Sequence, residues 1–511
     1  MRRPTERAQR AAPRCPCLAA VAALAAVAAL GGCAASAPAL SPTGIASAPL
    51  PAAWATGADS EPTAAAAAAA ASVIWTAADL PRFWTALGDQ QLGALIDAAL
   101  RSAPSLAQSM ARLVRARALA EQREAERLPE LQLVGSGELK QLPSSVSTSV
   151  STPSSPASRS TNATTTRTYQ LQAAVSWEID LFGAKRAAAE GAQLDTVAAG
   201  ADLQAARAAL AADVALAYID FRAAQQRRAL HRKRVATQTQ LVDWTEARER
   251  AGLGNRADTA AARQALEFAA ARASQDAPSS TSAEARLAVL TGQAPGSLRA
   301  ALDAGADGLR IPDRLVPDAP LAALTRRRDV AAAEARARAE AARSRSADAA
   351  RLPSLSLSAR AGSRAATVSA LGGAGTLATD LLGQLVATVF DGGRLEQAAQ
   401  AQRAQLSETE AALRSTWLDA LRETAAAYAT WLRAQDEMRE RQRLSELADL
   451  RLRSGRAQAA AGLADGSAVA ELDVAALTIE LERVDREQAR RQSLVQLARA
   501  LGGGWDAEVA Q

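Results

Sequence analysis

Two stretches of the chain alternate apolar and polar residues, and around them the apolar residues recur at helical steps. The first stretch opens with Leu131 and Leu133. It returns, after a Ser/Thr-rich loop (143–166), through Tyr169, Leu171, Ala173, Val175, Trp177 and Ile179, with Gln170, Gln172, Ser176, Glu178 and Asp180 between them. The second sets Leu355, Leu357, Ala359 and Ala361 against Ser354, Ser356, Ser358 and Arg360, and returns through Leu385, Ala387 and Val389. Period two is the signature of a strand with one apolar and one polar face, so each stretch predicts a strand pair, about 130–180 and about 353–391. Ahead of the first pair, Leu92, Leu95, Ile96, Ala99, Leu100, Leu106 and Leu113 form a helical stripe. It predicts a helix from about Gln91 to Arg127 that Pro129 stops. After each pair comes a Pro-free span, roughly 184–250 and 394–461. Each reads as one helix of about 100 Å at 1.5 Å per residue. Leu203, Leu210, Val214, Tyr218 (or Ala217) and Phe221 follow alternating steps of three and four, the seam spacing of coiled-coil packing.

These elements occur twice in the same order. Ala-Tyr218-Ile-Asp-Phe221-Arg-Ala-Ala-Gln225 recurs as Ala-Tyr428-Ala-Thr-Trp431-Leu-Arg-Ala-Gln435, and Phe182-Gly183 aligns with Gly392-Gly393. Ala251-Gly252-Leu253 recurs as Ala461-Gly462-Leu463. All share an offset of 210 residues. Arg127-Leu128-Pro129 matches Arg351-Leu352-Pro353 at 224, so the intervening segment is longer in the first copy. Leu290-Thr-Gly292 and Leu501-Gly-Gly503 end the two copies. Several landmarks at one offset predict a duplicated unit of helix, strand pair, very long helix, Gly turn and helix. The first repeat spans 75–315, the second 316–505, and 506–511 form a tail.

The amino terminus changes the charge picture. Five arginines (Arg2, Arg3, Arg7, Arg10, Arg14) precede an apolar run from Leu18 to Leu30, the layout of a secretory signal over 1–32. The run is too short for a permanent span of roughly 20 residues. This leader carries most of the net charge of +5, so the basic balance gives no argument for a nucleic-acid partner. Cys15 and Cys17 leave with it, and a single remaining cysteine allows no internal disulfide. Residues 33–74, rich in Ala, Pro, Ser and Thr with an alanine run from Ala64, read as a tether. Hydrophobic residues make up 49% of the 511, yet aromatics only 3%, which favours long, closely packed helices. No later stretch is apolar enough for a transmembrane helix, so any crossing must use strands in a closed barrel. Four strands cannot close one, and an open edge cannot face lipid, so several chains would have to pool their strands.

Specific motifs now carry a resemblance. Leu30-Gly31-Gly32-Cys33 resembles a bacterial lipobox, which implies cleavage before Cys33 and its acylation; Ala34 in place of Asp fits sorting to the outer membrane. Leu50-Pro51-Ala52-Ala53-Trp54, Phe83-Trp84 and Leu87-Gly88-Asp89 resemble the amino-terminal segment of the TolC family of outer-membrane efflux proteins. Ser176-Trp177-Glu178-Ile179-Asp180-Leu181-Phe182-Gly183 and Val389-Phe390-Asp391-Gly392-Gly393-Arg394 resemble its two strand-to-helix junctions, and Leu501-Gly502-Gly503-Gly504-Trp505 its terminus. The chain is most similar to the lipoprotein (NodT-type) factors of drug-efflux systems. The resemblance implies a mainly α fold with a transmembrane β-barrel. Three chains, each with four strands, would form a 12-stranded barrel and a long coiled-coil-like periplasmic helical barrel. The loop 143–166 and the Gly-rich segment 371–375 would face the exterior. The implied partners are a homotrimer, outer-membrane lipid, a periplasmic adaptor and, through it, an inner-membrane pump. The sequence departs from the family at Arg326-Arg327-Arg328-Asp329, which lacks a Pro before the Asp, and at Pro278-Ser279-Ser280, which interrupts the returning helix of the first unit.

Candidate sites follow from the turns. Ala251, Gly252, Leu253, Ala461, Gly462 and Leu463 end the long helices, where glycine tolerates positive φ. The resemblance implies that they form the periplasmic tip and meet the adaptor. Asp258, Asp465, Glu471 and Asp473 lie just beyond these turns, and inward carboxylates repeated around a pore would form acidic rings. Glu471 matches a family gate acid in spacing, though Ala stands where the gate Arg and Tyr would be. His231, among Arg and Lys, reads as a surface residue, and one His with one mature Cys supports neither a zinc site nor a Cys/His catalytic pair. The expectation is a passive conduit for small molecules, without enzyme activity, metal or cofactor. The alternatives are a lipid-anchored coiled-coil scaffold without a pore, and a duct for heavy metals or type I secretion; three Met and one His weaken the metal option.

Overall fold

The computed structural model describes residues 74–75, 82–142, 164–304, 308–315, 320–373 and 375–503. Cys33, the leader, the tether, most of the 143–166 loop, the Leu50–Trp54 motif and Trp505 lie outside the described residues. The first unit runs β1 (Ile74–Trp75), α1 (Phe83–Ala86), α2 (Gln90–Ser102), α3 (Pro104–Ala125), β2 (Glu130–Leu142), β3 (Thr164–Ile179), α4 (Ala184–Arg250), α5 (Arg256–Leu290) and α6 (Arg299–Asp303). The second runs β4 (Arg314–Leu315), α7 (Pro320–Arg326), α8 (Arg328–Ala349), β5 (Ser354–Ala365), β6 (Leu377–Val386), α9 (Arg394–Ala460) and α10 (Gly466–Ala500). The helices α4 and α9 are both 67 residues, and α5 and α10 both 35. Each pair begins and ends at the 210-residue offset found in the sequence.

The four long strands make one antiparallel sheet in the order β2-β3-β5-β6, and the two-residue β1 pairs with β4. Away from the sheet, α4 is the central element. Its upper half packs against α3 and α8, with α9 on the far side of α8; its lower half packs against α5 and α10, with α9 on the far side of α10. Alanine makes this close approach possible. Ala332, Ala335, Ala337, Ala339 and Ala342 of α8 are buried, and a Cβ on Gly191 of α4 would lie 3.2 Å from the Ala339 carbonyl oxygen. Arg343 with Asp195, Arg336 with Asp202, and Arg345 with Glu190 (2.8 Å) tie α8 to α4 across the same contact.

The main core sits where the lower and upper helices meet. Leu203, Leu210, Val214, Ala217, Tyr218 and Phe221 of α4 are all buried there, with Phe83, Leu287, Leu302, Trp431, Leu494 and Leu497. Two buried carboxylates that enter this core have their partners. The Asp89 carboxylate caps α2, accepting from the amides of Gln91 (3.0 Å) and Leu92 (3.1 Å), and the Tyr218 hydroxyl donates to it at 2.9 Å. Burial pushes the Tyr218 hydroxyl up to about 12. Glu284, 2% exposed, accepts from the amides of Gly296 and Leu298, which fastens the loop after α5.

Five expectations are corrected. The opening helix is two helices: Ala103, at ψ 125, is extended because a residue before proline is driven out of the helical region, and Pro104 starts α3. A matching break at Arg327, ψ 127, separates α7 from α8 with no proline; Arg327 is held there by Asp329 (2.7 Å), Glu423 (2.7 Å) and the Ala500 carbonyl (3.1 Å). Pro278 does not interrupt α5, which runs through it. Both Pro278 and Ser274, whose carbonyl loses its partner, are exposed, so water can take the missing bond. Strand β6 ends at Val386, short of Ala387 and Val389. His231 is half-buried rather than a surface residue, its Nε2 3.5 Å from the Asp276 carboxylate on α5. Leu100, placed on the buried stripe, is exposed.

Candidate functional site

The register puts the alternating residues on two faces of the sheet. Leu131 lies opposite Val175, Val175 opposite Ala359, and Ala359 opposite Leu381, so these four share one face. The neighbouring row is Leu133, Ala173, Ala361 and Thr379. The other face carries Gln132, Ala174, Arg360 and Asp380 in one row and Ser136, Gln170 and Arg364 in another. Nothing in the described chain covers the apolar face: Leu131 is 71% exposed, Leu133 77% and Leu381 75%. Leaving such a row in water forfeits about 1.5–3 kcal/mol per large side chain. The edges β2 and β6 each present unpaired backbone groups. A sheet with one apolar face, one polar face and two open edges suits a wall segment between lipid and water.

The strand-to-helix junctions explain their motif. Gly183 (φ 80°) and Gly393 (φ 88°) turn the chain in the left-handed region, which a side chain would strain. The Asp180 carboxylate accepts from the Arg186 amide at 2.7 Å, and that of Asp391 from the amides of Gly393 and Leu395, both at 2.9 Å. Each aspartate thus anchors the first turn of a long helix, a role the sequence motif contained and the sequence reading did not assign. The Trp177 indole donates to the Arg127 carbonyl at 2.9 Å, holding β3 against the end of α3.

At the opposite end of the long helices the two turns repeat each other. Gly252 (φ 72°) and Gly462 (φ 74°) follow the last helical residues, and the amides of Leu253 and Leu463 return to the carbonyls of Arg248 (2.8 Å) and Gln458 (2.9 Å). Ala251, Gly252, Leu253, Ala461, Gly462 and Leu463 are all exposed, Leu463 by 79%. The sequence-predicted tip therefore stands bare. The acids divide. Asp465 caps α10, accepting from the Ala468 amide (2.9 Å) and the Ser467 hydroxyl (2.6 Å), which hold its carboxyl below the ordinary aspartate value. It also pairs with Arg248 at 3.4 Å. Asp473 accepts from Thr237 (2.9 Å) and Arg456 (3.2 Å). Asp258 and Glu471 are exposed, and their carboxylates have no partner among the described residues. Sequence reasoning missed Trp244, whose ring lies where a Cβ on Gly466 would come within 3.1 Å of it, joining the two turns. Among the described residues no group of three or more His, Cys, Asp or Glu is placed to hold a metal, and no helix is long and apolar enough to cross a membrane.

A chain with these two ends, an incomplete amphipathic β-wall and bare helical turns about 100 Å of helix away, belongs to the outer membrane efflux protein family, whose sequence profile matches residues 95–293 and 319–503. It is 28% identical over 419 residues to outer membrane protein OprJ of Pseudomonas aeruginosa, covering 82% of this chain and 85% of that protein. It is 25% identical to nodulation protein T of Rhizobium leguminosarum bv. trifolii, covering 83% and 88%. The outer-membrane channel OprN superposes with a TM-score of 0.74 at 26% identity, over 83% of this chain and 93% of that one. The fold is mostly helical and matches the TolC-type channels. The protein is the outer-membrane component of an efflux system, in a family of channels that are not enzymes. The pore-free scaffold is set aside.

Proposed function

We propose that three copies of this chain close a 12-stranded barrel in the outer membrane and a helical barrel below it, and that the pair serves as a passive duct for small molecules such as drugs. The observation that carries this reading is the sheet β2-β3-β5-β6, with its bare apolar face and two open edges. Only sister strands can satisfy edge groups inside a bilayer. The 210-residue correspondence of the long helices supports descent from a duplicated unit. Cys33 would carry the lipid. The exposed turns Ala251–Leu253 and Ala461–Leu463 would meet a periplasmic adaptor, and through it an inner-membrane pump. Of the four acids near the constriction, Glu471 and Asp258 are the better pore-facing groups, because Asp465 and Asp473 are already committed to hydrogen bonds.

The test is complementation. Expressed with its pump and adaptor in a strain lacking its own outer-membrane channels, the chain should lower dye accumulation and raise drug tolerance. Correctly inserted protein that restores neither would overturn the reading. Cys33→Ser should abolish palmitate labelling of the protein.

A further inference from the structure

In the lower half of the helices, α4 packs against α5 and α10, and α9 packs against α10, so the layer is ordered α5-α4-α10-α9. Its free edges are α5 and α9, and they are not alike. On α5, Phe268 projects at 65% exposure. On α9, Leu447, Leu450, Arg451, Ser454, Gly455 and Gln458, with Leu472 of α10 as floor, surround a cavity of about 430 Å³. Gly455 keeps it open: a Cβ there would fall 2.4 Å from the Leu472 side chain.

Knob and cavity stand at one height. Phe268 is twelve residues into α5, about 18 Å above its turn. Gly455 and Leu450 precede the end of α9 by five and ten residues, about 8 and 15 Å above theirs. The second turn sits higher by about 5–9 Å, since Arg248 reaches Asp465 and Trp244 covers Gly466. The cavity therefore spans about 13–24 Å on the same scale. They also share a face. Phe268 stands about 100° round α5 from Ala269, which faces α4; Ser454 and Leu450 stand about 100° and 140° round α9 from Gly455, which faces α10. The two helices run in opposite directions with their partners on opposite sides, so these offsets lean toward the same side of the layer. The charges match too: Glu267, beside the knob, and Arg451, in the cavity wall, are exposed and lack partners among the described residues.

We infer that Phe268 of one copy seats in the α9 cavity of the next, with Glu267 against Arg451, locking neighbouring subunits near their turns. A cyclic rotation about an axis parallel to the helices preserves height, so the same contact repeats at every boundary. This rests on the trimeric reading above and names a contact within it. The chain carrying Phe268→Cys and Ser454→Cys, oxidised in outer membranes, should give a disulfide-linked ladder up to three chains that neither single variant gives. A boiling-sensitive trimer band without that ladder would overturn this contact and leave the trimer standing; absence of any trimer would overturn both. Independently, Glu267→Arg should lower the temperature at which the trimer dissociates, and adding Arg451→Glu should restore it. Failure of that rescue contradicts the pairing.

Discussion

The hairpins α4–α5 and α9–α10 have helices of equal length, turns of equal geometry and a constant offset, yet they are held together differently. Near the turns both carry a permanent ion pair, Glu246 with Arg263 (2.7 Å) in the first and Arg456 with Asp473 (3.2 Å) in the second; farther up, the second adds Arg441 with Glu482 (2.6 Å) and Arg486 with Glu437 (2.8 Å). At the matching positions the first has His231 and Asp276, with Asp276 only 8% exposed. Deeper in, Glu284 of α5 occupies the place that Leu494 holds on α10. Position in the layer accounts for the contrast. Helix α4 is central and touches neighbours on several sides, so its contact at His231 is covered; α9 lies at an edge, and the charges at the matching height stay half in water. A duplicated backbone thus diverges according to what surrounds each copy, and the difference predicts unequal responses to equal substitutions.

The largest effect is expected at Glu284 and Leu494. Leu494→Ala opens a cavity in the core and should cost about 3–5 kcal/mol. Glu284→Ala strands the Gly296 and Leu298 amides and should cost about 3 kcal/mol, while freeing the loop after α5 to proteolysis. Denaturant titration in detergent measures both, and a neutral Glu284→Ala would break the contrast. Next comes His231→Ala, which leaves the buried Asp276 carboxylate alone and should cost about 1–3 kcal/mol. Arg441→Ala removes a partly exposed pair and should cost under about 1 kcal/mol. Equal losses would mean that burial is not what distinguishes the hairpins. Of similar size, Asn255→Ala and Asp465→Ala each remove an N-cap, at about 1 kcal/mol apiece.

The smallest effect concerns acid. Burial pushes the Asp329 carboxyl up, but the Arg327 hydrogen bonds and charge more than offset this, so it titrates below the ordinary aspartate value. A depressed folded value means that its stabilisation is whole above about pH 4 and is lost as pH falls through the folded value. Asp329→Asn should flatten the acid limb of a thermal-stability profile; an unchanged limb would show that the clasp at the α7–α8 break contributes nothing.

Much of this fold was legible because it is carried by periodicity. The seam from Leu203 to Phe221 is buried, and the alternation from Tyr169 to Ile179 became a strand whose register sorts apolar from polar. The errors arose where tertiary contacts decide. The break at Arg327 depends on Glu423 and the Ala500 carbonyl, 96 and 173 residues away, and no local pattern announces it. The break at Ala103 was readable from Pro104, but an uninterrupted apolar stripe ran across it. His231 sits among charges in sequence and beneath α5 in space. The two turns were legible from Gly252 and Gly462, whereas the division of the acids was not, because the partners Thr237 and Arg456 come from different helices.

The account stands on the sheet being one part of a shared wall. Single-channel recording of the purified protein in a planar bilayer tests this most directly. Discrete conductance steps, which vanish when the preparation is dissociated to single chains, are predicted. Correctly folded protein that inserts and passes no current, or passes the same current as a single chain, would contradict it.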